Sequence, residues 1–413
     1  SLFIDWETTS DHGFIQYNIY YSNFIDNEEI IIQSIYDINE SSAEIQNISL
    51  NEQNFFWIGV VDFMGCEILG NQYIYELPYK NYQLNDNGEI THTDFSINDF
   101  KSAQECASCH EDHYNEWFSS MHSYTMRSPV FFSYKEKTAE SHPATGDNFC
   151  MQCHNPVSFL TGNDLTNFTT VNEFQNSDID QVLKEGITCD VCHTATGISQ
   201  TVYASDDVSA NAEYKLYPLG NIKFGPIQNP EPNDFHDSYY LPTYSTSQMC
   251  LPCHDLVVRD VEAEITFTEW NRIPGFSMFG GVSCQQCHMP LKDNGYHDHR
   301  FIGVGMDFSI PPESNPLYQD VQNLLSEAAQ IEFNVLGDVL PTQISVGDSL
   351  SIPLSVESLT AHSIPSGTSF NREAWIELTV HQNDAIVFSS GLIEYDEPLD
   401  TIDSKLLYFN SYL

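Results

Sequence analysis

Ten of the eleven cysteines fall into five copies of one pattern, C-x-x-C-H: Cys106-Cys109-His110, Cys150-Cys153-His154, Cys189-Cys192-His193, Cys250-Cys253-His254 and Cys284-Cys287-His288. No other feature constrains the chain so tightly. Two thiols three positions apart lie on one turn and can each add to a vinyl group of the same haem. The adjacent imidazole then stands over the porphyrin face as the proximal iron ligand. Zinc fits worse, because five half-sites leave one unpaired and a His after every pair has no purpose in an all-cysteine site. A disulfide at this spacing would close a very small loop. A thioredoxin-like motif would occur once, in a βαβ setting that is absent here. The pattern therefore reads as five covalently bound haem c groups, with His110, His154, His193, His254 and His288 on the irons. Haem c is attached outside the cytoplasm, so the motifs themselves argue for export. The eleventh cysteine, Cys66, reads as a free thiol, with an intermolecular disulfide as the alternative.

A chain of 413 residues has room for two to four domains. Its 14 Lys+Arg against 59 Asp+Glu leave a net charge of −45, which makes nucleic acid and anionic membrane surfaces poor partners. An acidic coat of this kind suits a salty or extracellular medium. The longest apolar run, Phe55 to Val61, is strand-sized, far below the ~20 residues a membrane helix needs, so no transmembrane segment is expected. The opening Ser1-Leu2-Phe3 reads as the start of a processed, exported protein, extracellular or at the cell surface rather than periplasmic. The closing Tyr408 to Leu413 reads as the middle of a strand, as if the natural chain continued.

Before the first motif the pattern is that of β-structure. Ile4-Asp5-Trp6, Phe14 to Tyr21, Ala43 to Ile48 and Phe55 to Phe63 alternate or are rich in aromatic and aliphatic residues. An early Trp, a Tyr-rich strand and a late strand closing on Asp62-x-x-Gly65 resemble a fibronectin type III domain, a β-sandwich, over about residues 1–85. Such a resemblance implies a spacer or adhesion unit. A polar linker from Asn85 to Asn98 leads to the motif-bearing region, about residues 100–312. There the short segments between motifs predict short helices and much coil, with haems supplying most of the apolar core. Helices are expected from Cys109 to His122 and from Val321 to Glu332. From about residue 330 to 413 alternation returns, in Ser349 to Val356, Ala374 to Val380 and Ile386 to Phe388, which predicts a second β-sandwich-like domain. The expected fold class is thus multidomain: sandwich, haem-packed centre, sandwich.

A low-spin electron-transfer haem takes a second axial ligand, His or Met. Fifteen histidines minus five proximal ones leave ten, enough for five irons. Spacing alone does not choose among them. Cys106-x-x-Cys109-His110-x-x-x-Tyr114-x-x-Trp117-x-Ser119-Ser120-Met121-His122 resembles the opening haem segment of cytochromes in the cytochrome c-554 and hydroxylamine-oxidoreductase-like group. Cys287-His288-Met289-Pro290 followed by His299-Arg300-Phe301 is similar to the same group. Ala361-His362-Ser363-Ile364-Pro365-Ser366-Gly367 resembles its G-H-x-F-P-S-G element, departing at Ala361 and Ile364. The resemblance covers about residues 100–395. It implies His122, His299 and His362 as distal ligands, and more loosely His236, upstream of Cys250. For the fifth iron, His297 and His142 are the candidates. His92, in the linker, could serve a haem here or in a neighbouring subunit. His12, His113 and His381 read as solvated positions.

These features point to an electron-transfer protein with closely spaced, mostly bis-His haems, exchanging electrons with redox partner cytochromes or extracellular acceptors. One form of this reading is a homopolymer, a subunit of an extracellular cytochrome filament. The alternative is a multihaem oxidoreductase acting on nitrogen compounds, which needs one haem without a strong distal ligand. The electron carrier, not an enzyme, is the expectation.

Overall fold

The computed structural model describes residues 2–22, 30–45, 53–76, 80–85, 90–141, 148–198, 214–217, 221–258, 261–273, 281–333, 343, 345, 347–349, 351–367, 372–393 and 398–409. The chain is a multidomain mix of strands and short helices. At the N-terminus, β1 (Leu2–Asp5) pairs with β4 (Ser42–Ile45). The larger sheet holds β2 (Phe14–Ser22), β3 (Ile30–Ile35), β5 (Gln53–Asp62), β6 (Glu67–Leu69) and β7 (Tyr73–Glu76). Its order is β3-β2-β5-β6, with β7 on the other half of β5. Alternate residues of β2 point inward: Tyr17, Ile19 and Tyr21 are buried. Ile19, Tyr21 and Phe56 from the large sheet pack on Ile4, Ala43 and Ile45 from the small one, so the two sheets share one apolar core. Trp6 lies just past the first strand and its ring leans on Tyr17, at 5.5 Å between centroids. At the Asp62-x-x-Gly65 turn, Asp62 Oδ1 accepts from the N–H groups of Met64 (2.8 Å) and Cys66 (2.9 Å). Gly65 takes φ +78°, which costs glycine no Cβ clash. Cys66 is an exposed free thiol on that turn.

The polar stretch expected to be a linker folds instead. Tyr82–Leu84 (β8) and Ile90–Thr93 (β9) pair as an antiparallel ladder. Thr93 donates its hydroxyl to the Leu160 carbonyl at 2.6 Å, and Phe95 and Phe100 enter the central core. This ladder is therefore the edge of the motif-bearing region, anchored by apolar residues that a polar reading of the segment overlooks. His92 is exposed there, beside Asp94.

The central region is built from short helices and small two-stranded ladders. Helix α1 (Ala103–Ala107) leads to α2 (Glu111–Ser119), α3 (Met121–Tyr124), α4 (Pro129–Ser141) and α5 (Asn148–His154). The helix expected from Cys109 to His122 breaks at Ser120, whose backbone is extended (φ −80°, ψ 163°) and which starts a new helix carrying His122. The helix expected from Val321 to Glu332 is displaced: it runs Tyr318–Ser326, and Ala329–Phe333 is a strand. Met126, Phe132, Met151, Val157, Phe174, Val182, Leu183 and Val191 form a protein core around the second and third motifs. Smaller clusters, Leu251/Phe267/Trp270 and Ile302/Leu317/Val321, support the last two motifs.

Beyond residue 328 the described strands form three separate two-stranded ladders. These are Ala329–Phe333 with Leu354–Ser358, Ala374–Ile376 with Leu407–Phe409, and Leu378–Gln382 with Ala385–Ser390. Their apolar residues are largely exposed, Ile331 and Phe333 among them. Among the described residues these ladders do not join into the sandwich expected there. The loop around His362 docks on the helix Thr266–Arg272: Glu269 Oε2 accepts from Ser366 Oγ (2.6 Å) and from the Ser363 N–H (3.1 Å). No helix among the described residues is long and apolar enough to cross a membrane.

Candidate functional site

Every C-x-x-C-H motif forms one helical turn, so both sulfurs and the imidazole leave the same side of the backbone. Cys150 and Cys153 lie in α5, while Cys189–His193 and Cys284–His288 are helices in their own right. In the first and fourth motifs the His N–H donates to the carbonyl of the first cysteine, His110 to Cys106 at 2.8 Å and His254 to Cys250 at 3.1 Å. Local chemistry starts these turns. Ser102 caps α1 by accepting from the Gln104 N–H, and Ser283 forms a capping box with Gln286. The buried Glu185 accepts from Ser102 Oγ and from the Ala103 N–H (2.7 Å), tying the first motif to the segment that enters the third.

Four motif histidines face a histidine from elsewhere in the chain. Ring centroids are 6.2 Å apart for His110 and His236, 6.3 Å for His254 and His122, 6.3 Å for His193 and His299, and 6.5 Å for His288 and His362. The planes differ by 30°, 48°, 24° and 16° in the same order. Two imidazoles sharing one metal ion at about 2 Å each place their ring centres roughly 6 Å apart. Ordinary aromatic packing spans the same range, from Phe131 on His154 at 4.4 Å to Phe55 on Trp57 at 6.4 Å, so the fit rests on each pair joining a motif histidine to an imidazole from elsewhere in the chain. His113 also lies 6.2 Å from His110, but as its i+3 neighbour on the same helix, where proximity is automatic.

The outer nitrogens strengthen this fit. Nδ1 of His193 meets the Phe224 carbonyl at 2.8 Å, that of His288 the Ile302 carbonyl at 2.6 Å, and that of His299 the His297 carbonyl at 2.9 Å. His362 Nδ1 lies 2.9 Å from the Ser363 carbonyl and His236 Nδ1 3.1 Å from Ser238 Oγ. A carbonyl on Nδ1 fixes the proton there and leaves Nε2 with a free lone pair, the arrangement metal-bound imidazoles show. Burial pushes the pKa of His122 down to about 3 and of His154 and His299 to about 4, and lowers His193 and His288 as well. All five are therefore neutral at pH 7, the form that binds metal. Among the described residues no three His, Cys, Asp or Glu side chains converge as a metal site.

The second motif differs. The His154 ring stacks on Phe131, and its buried Nδ1 has no hydrogen-bond partner among the described residues. Of the two candidates named for the remaining iron, His142 lies outside the described residues. His297 is half-buried and turns Nδ1 to the Met289 carbonyl at 2.5 Å. His12, His92 and His381 are exposed. The solvated position expected for His113 is not what the structure shows. Its ring packs on His299 at 4.8 Å and on Tyr296 at 5.5 Å, and burial lowers its pKa. The i+3 spacing from His110 is the sequence signal that it would lie beside that motif.

Motifs also meet one another. Cys106 lies beside Cys189, and Cys250 beside Cys284. Sequence reasoning passed over the residues that hold these sites. Glu116 pairs with Lys292 and accepts the His299 N–H at 3.1 Å. Tyr244 donates to the Cys192 and Ala195 carbonyls. Asp298 binds Arg300 through both carboxylate oxygens, and Arg300 reaches on to Asp320.

Thiols and imidazoles arrayed in this way fit haem c, which, held through the cysteines, would supply one-electron redox chemistry. The family model described as cytochrome c554 and c-prime matches residues 105–194, the stretch that holds the first three motifs. This is narrower than the likeness read from the sequence over about residues 100–395. No curated protein and no solved structure matches the chain. The match supports electron transfer and covalently bound haem c for this unit.

Proposed function

We propose that this chain is an exported pentahaem c-type cytochrome that carries electrons along a row of closely spaced haems, most of them ligated by two histidines. One observation carries the reading: four motif histidines each face a second imidazole at 6.2 to 6.5 Å. In this reading His110 pairs with His236, His193 with His299, His254 with His122 and His288 with His362. The motif-to-motif contacts give the row an order. The first site adjoins the third through Cys106 and Cys189, and the fourth adjoins the fifth through Cys250 and Cys284. Phe301, between His299 and His122, connects the third to the fourth.

Both ends of this row lie near solvent, since Cys109, His110 and Cys287 are exposed. That suits exchange with partner cytochromes, extracellular acceptors or another copy of the chain in a filament. The N-terminal module, fibronectin type III-like by sequence, then serves as a spacer or contact unit. Haem content by pyridine haemochrome and paramagnetic resonance of the ferric protein test the core reading. Five haems per chain and predominantly low-spin signals are expected; fewer haems, or a mainly high-spin sample, would overturn it. Electron microscopy of native material tests the filament form, which dispersed single particles would sink.

A second reading, a multihaem oxidoreductase with one five-coordinate haem, turns on the second motif, where the ring packed on His154 is Phe131 and no imidazole among the described residues is paired with it as in the other four motifs. Carbon monoxide added to the reduced protein separates the two. Binding to one haem in five supports the enzyme, and no binding supports the carrier.

A further inference from the structure

Among the described residues three non-glycine residues take positive φ: Phe301 (49°), Ala361 (60°) and Asn383 (53°). Two of them flank histidines proposed above as distal ligands, Ala361 directly before His362 and Phe301 two positions after His299. A bulky L-residue is rare in this region, because its Cβ crowds the neighbouring peptide, and such strain persists only where the surroundings impose it. Around Phe301 they do. Asp298, itself buried, clamps Arg300 through both oxygens, and Arg300 extends to Asp320. Glu116 holds the His299 N–H. The Ile302 carbonyl accepts from His288 Nδ1 at 2.6 Å. The backbone is thus fixed on both sides of residue 301, and the left-handed turn aims its ring at two imidazoles. The ring lies 4.2 Å from that of His122, tilted by 57°, and 5.9 Å from that of His299, edge-on at 83°.

Those two imidazoles face different motif histidines, His254 and His193. The Phe301 ring packs on that of His122 at 4.2 Å and meets that of His299 edge-on at 5.9 Å. We propose that Phe301 is a positioning residue shared by two neighbouring haems, setting the plane of the His122 and the His299 imidazole together. The proposal rests on the bis-His reading above. The angle between two axial imidazole planes governs the splitting of the low-spin iron levels and bears on the reduction potential, so one side chain sets the properties of two adjacent steps in the row. The chain neighbours of Phe301 extend the linkage: residues 299 to 302 touch the third, fourth and fifth sites in turn.

The test uses the full holoprotein and the variants Phe301→Leu, Phe301→Met and Phe301→Tyr. Haem content is measured first, then ferric paramagnetic resonance and a spectroelectrochemical titration. In Phe301→Leu two of the five haems are expected to change their low-spin resonance positions and midpoint potentials, while the haem count stays at the parent value. Phe301→Tyr retains the ring and is expected to restore the parent spectrum. Should Phe301→Leu lose haem, Phe301→Met, unbranched and of similar reach, carries the same expectation. Unchanged spectra in the aliphatic variant that keeps its haem, or a change confined to one haem, would overturn the shared role. A parent protein without low-spin bis-His signals would instead refute the ligation reading, before any variant is compared.

Discussion

His288 and His362 face each other at 6.5 Å with their ring planes only 16° apart, one from the last C-x-x-C-H turn and the other from the loop that docks on Glu269. The C-terminal region therefore places an imidazole opposite a C-x-x-C-H motif far from it in sequence. Replacing His362 by Ala should leave the fifth haem five-coordinate. About one fifth of the low-spin signal should convert to high-spin, with the haem count unchanged, and the variant should gain carbon monoxide binding at one haem. A wholly low-spin His362→Ala protein would refute this pairing.

Glu185 is 5 % exposed and accepts from Ser102 Oγ, the Ala103 N–H and Thr188 Oγ1. Truncation to Ala strands donors that burial keeps from water, so Glu185→Ala should destabilise the protein by about 2–4 kcal/mol. Glu185→Gln keeps one carbonyl acceptor and should cost less. Guanidinium unfolding midpoints compare the two, and equal midpoints would show that the carboxylate is not the anchor of the first motif.

Gly186 takes φ +73°, and a Cβ there would lie 2.2 Å from Thr125 Oγ1 and 2.8 Å from the His122 carbonyl oxygen. Both atoms belong to the turn that carries His122, and Ile187 also donates its N–H to that carbonyl at 3.1 Å. The glycine permits this close approach. Gly186→Ala should cost about 2–3 kcal/mol through strain and displacement. It should also disturb the low-spin signal of the haem that His122 serves, visible in paramagnetic resonance. A variant with parent stability and spectrum would contradict the close packing.

Glu116 joins Lys292 to the His299 N–H, at side-chain exposures of 18 % for Glu116 and 25 % for Lys292. Part of the attraction is screened by solvent, so Glu116→Gln should cost only about 1 kcal/mol of stability. Its clearer effect is local: one low-spin haem should shift, the one that faces His193. Unfolding curves and resonance spectra on the same sample separate the two effects.

Much of the chemistry was legible in the residues. The C-x-x-C-H turns are local, because sulfur, sulfur and imidazole leave the same side of one helical turn whatever surrounds them. The early strands were legible for the same reason: Tyr17, Ile19 and Tyr21 alternate because a strand has period two. Less visible were features that depend on partners distant in sequence. The stretch read as a linker carries Phe95, whose burial is decided by helices that follow it. Val321 to Glu332 keeps helical spacing, yet its second half pairs with Leu354–Ser358 and becomes a strand. His113 reads as a solvated helix position until the loop bearing Tyr296 and His299 closes over it.

By itself the sequence determined the number of C-x-x-C-H turns and the atoms each presents, since those follow from spacing on one helical turn. Only the tertiary structure decided which distant imidazole meets which motif. Those meetings depend on the break at Ser120, the Arg300 clamp and the dock at Glu269. A haem site has two faces, and local geometry fixes one of them. The second comes from another part of the chain, placed by packing and buried hydrogen bonds that no local pattern encodes.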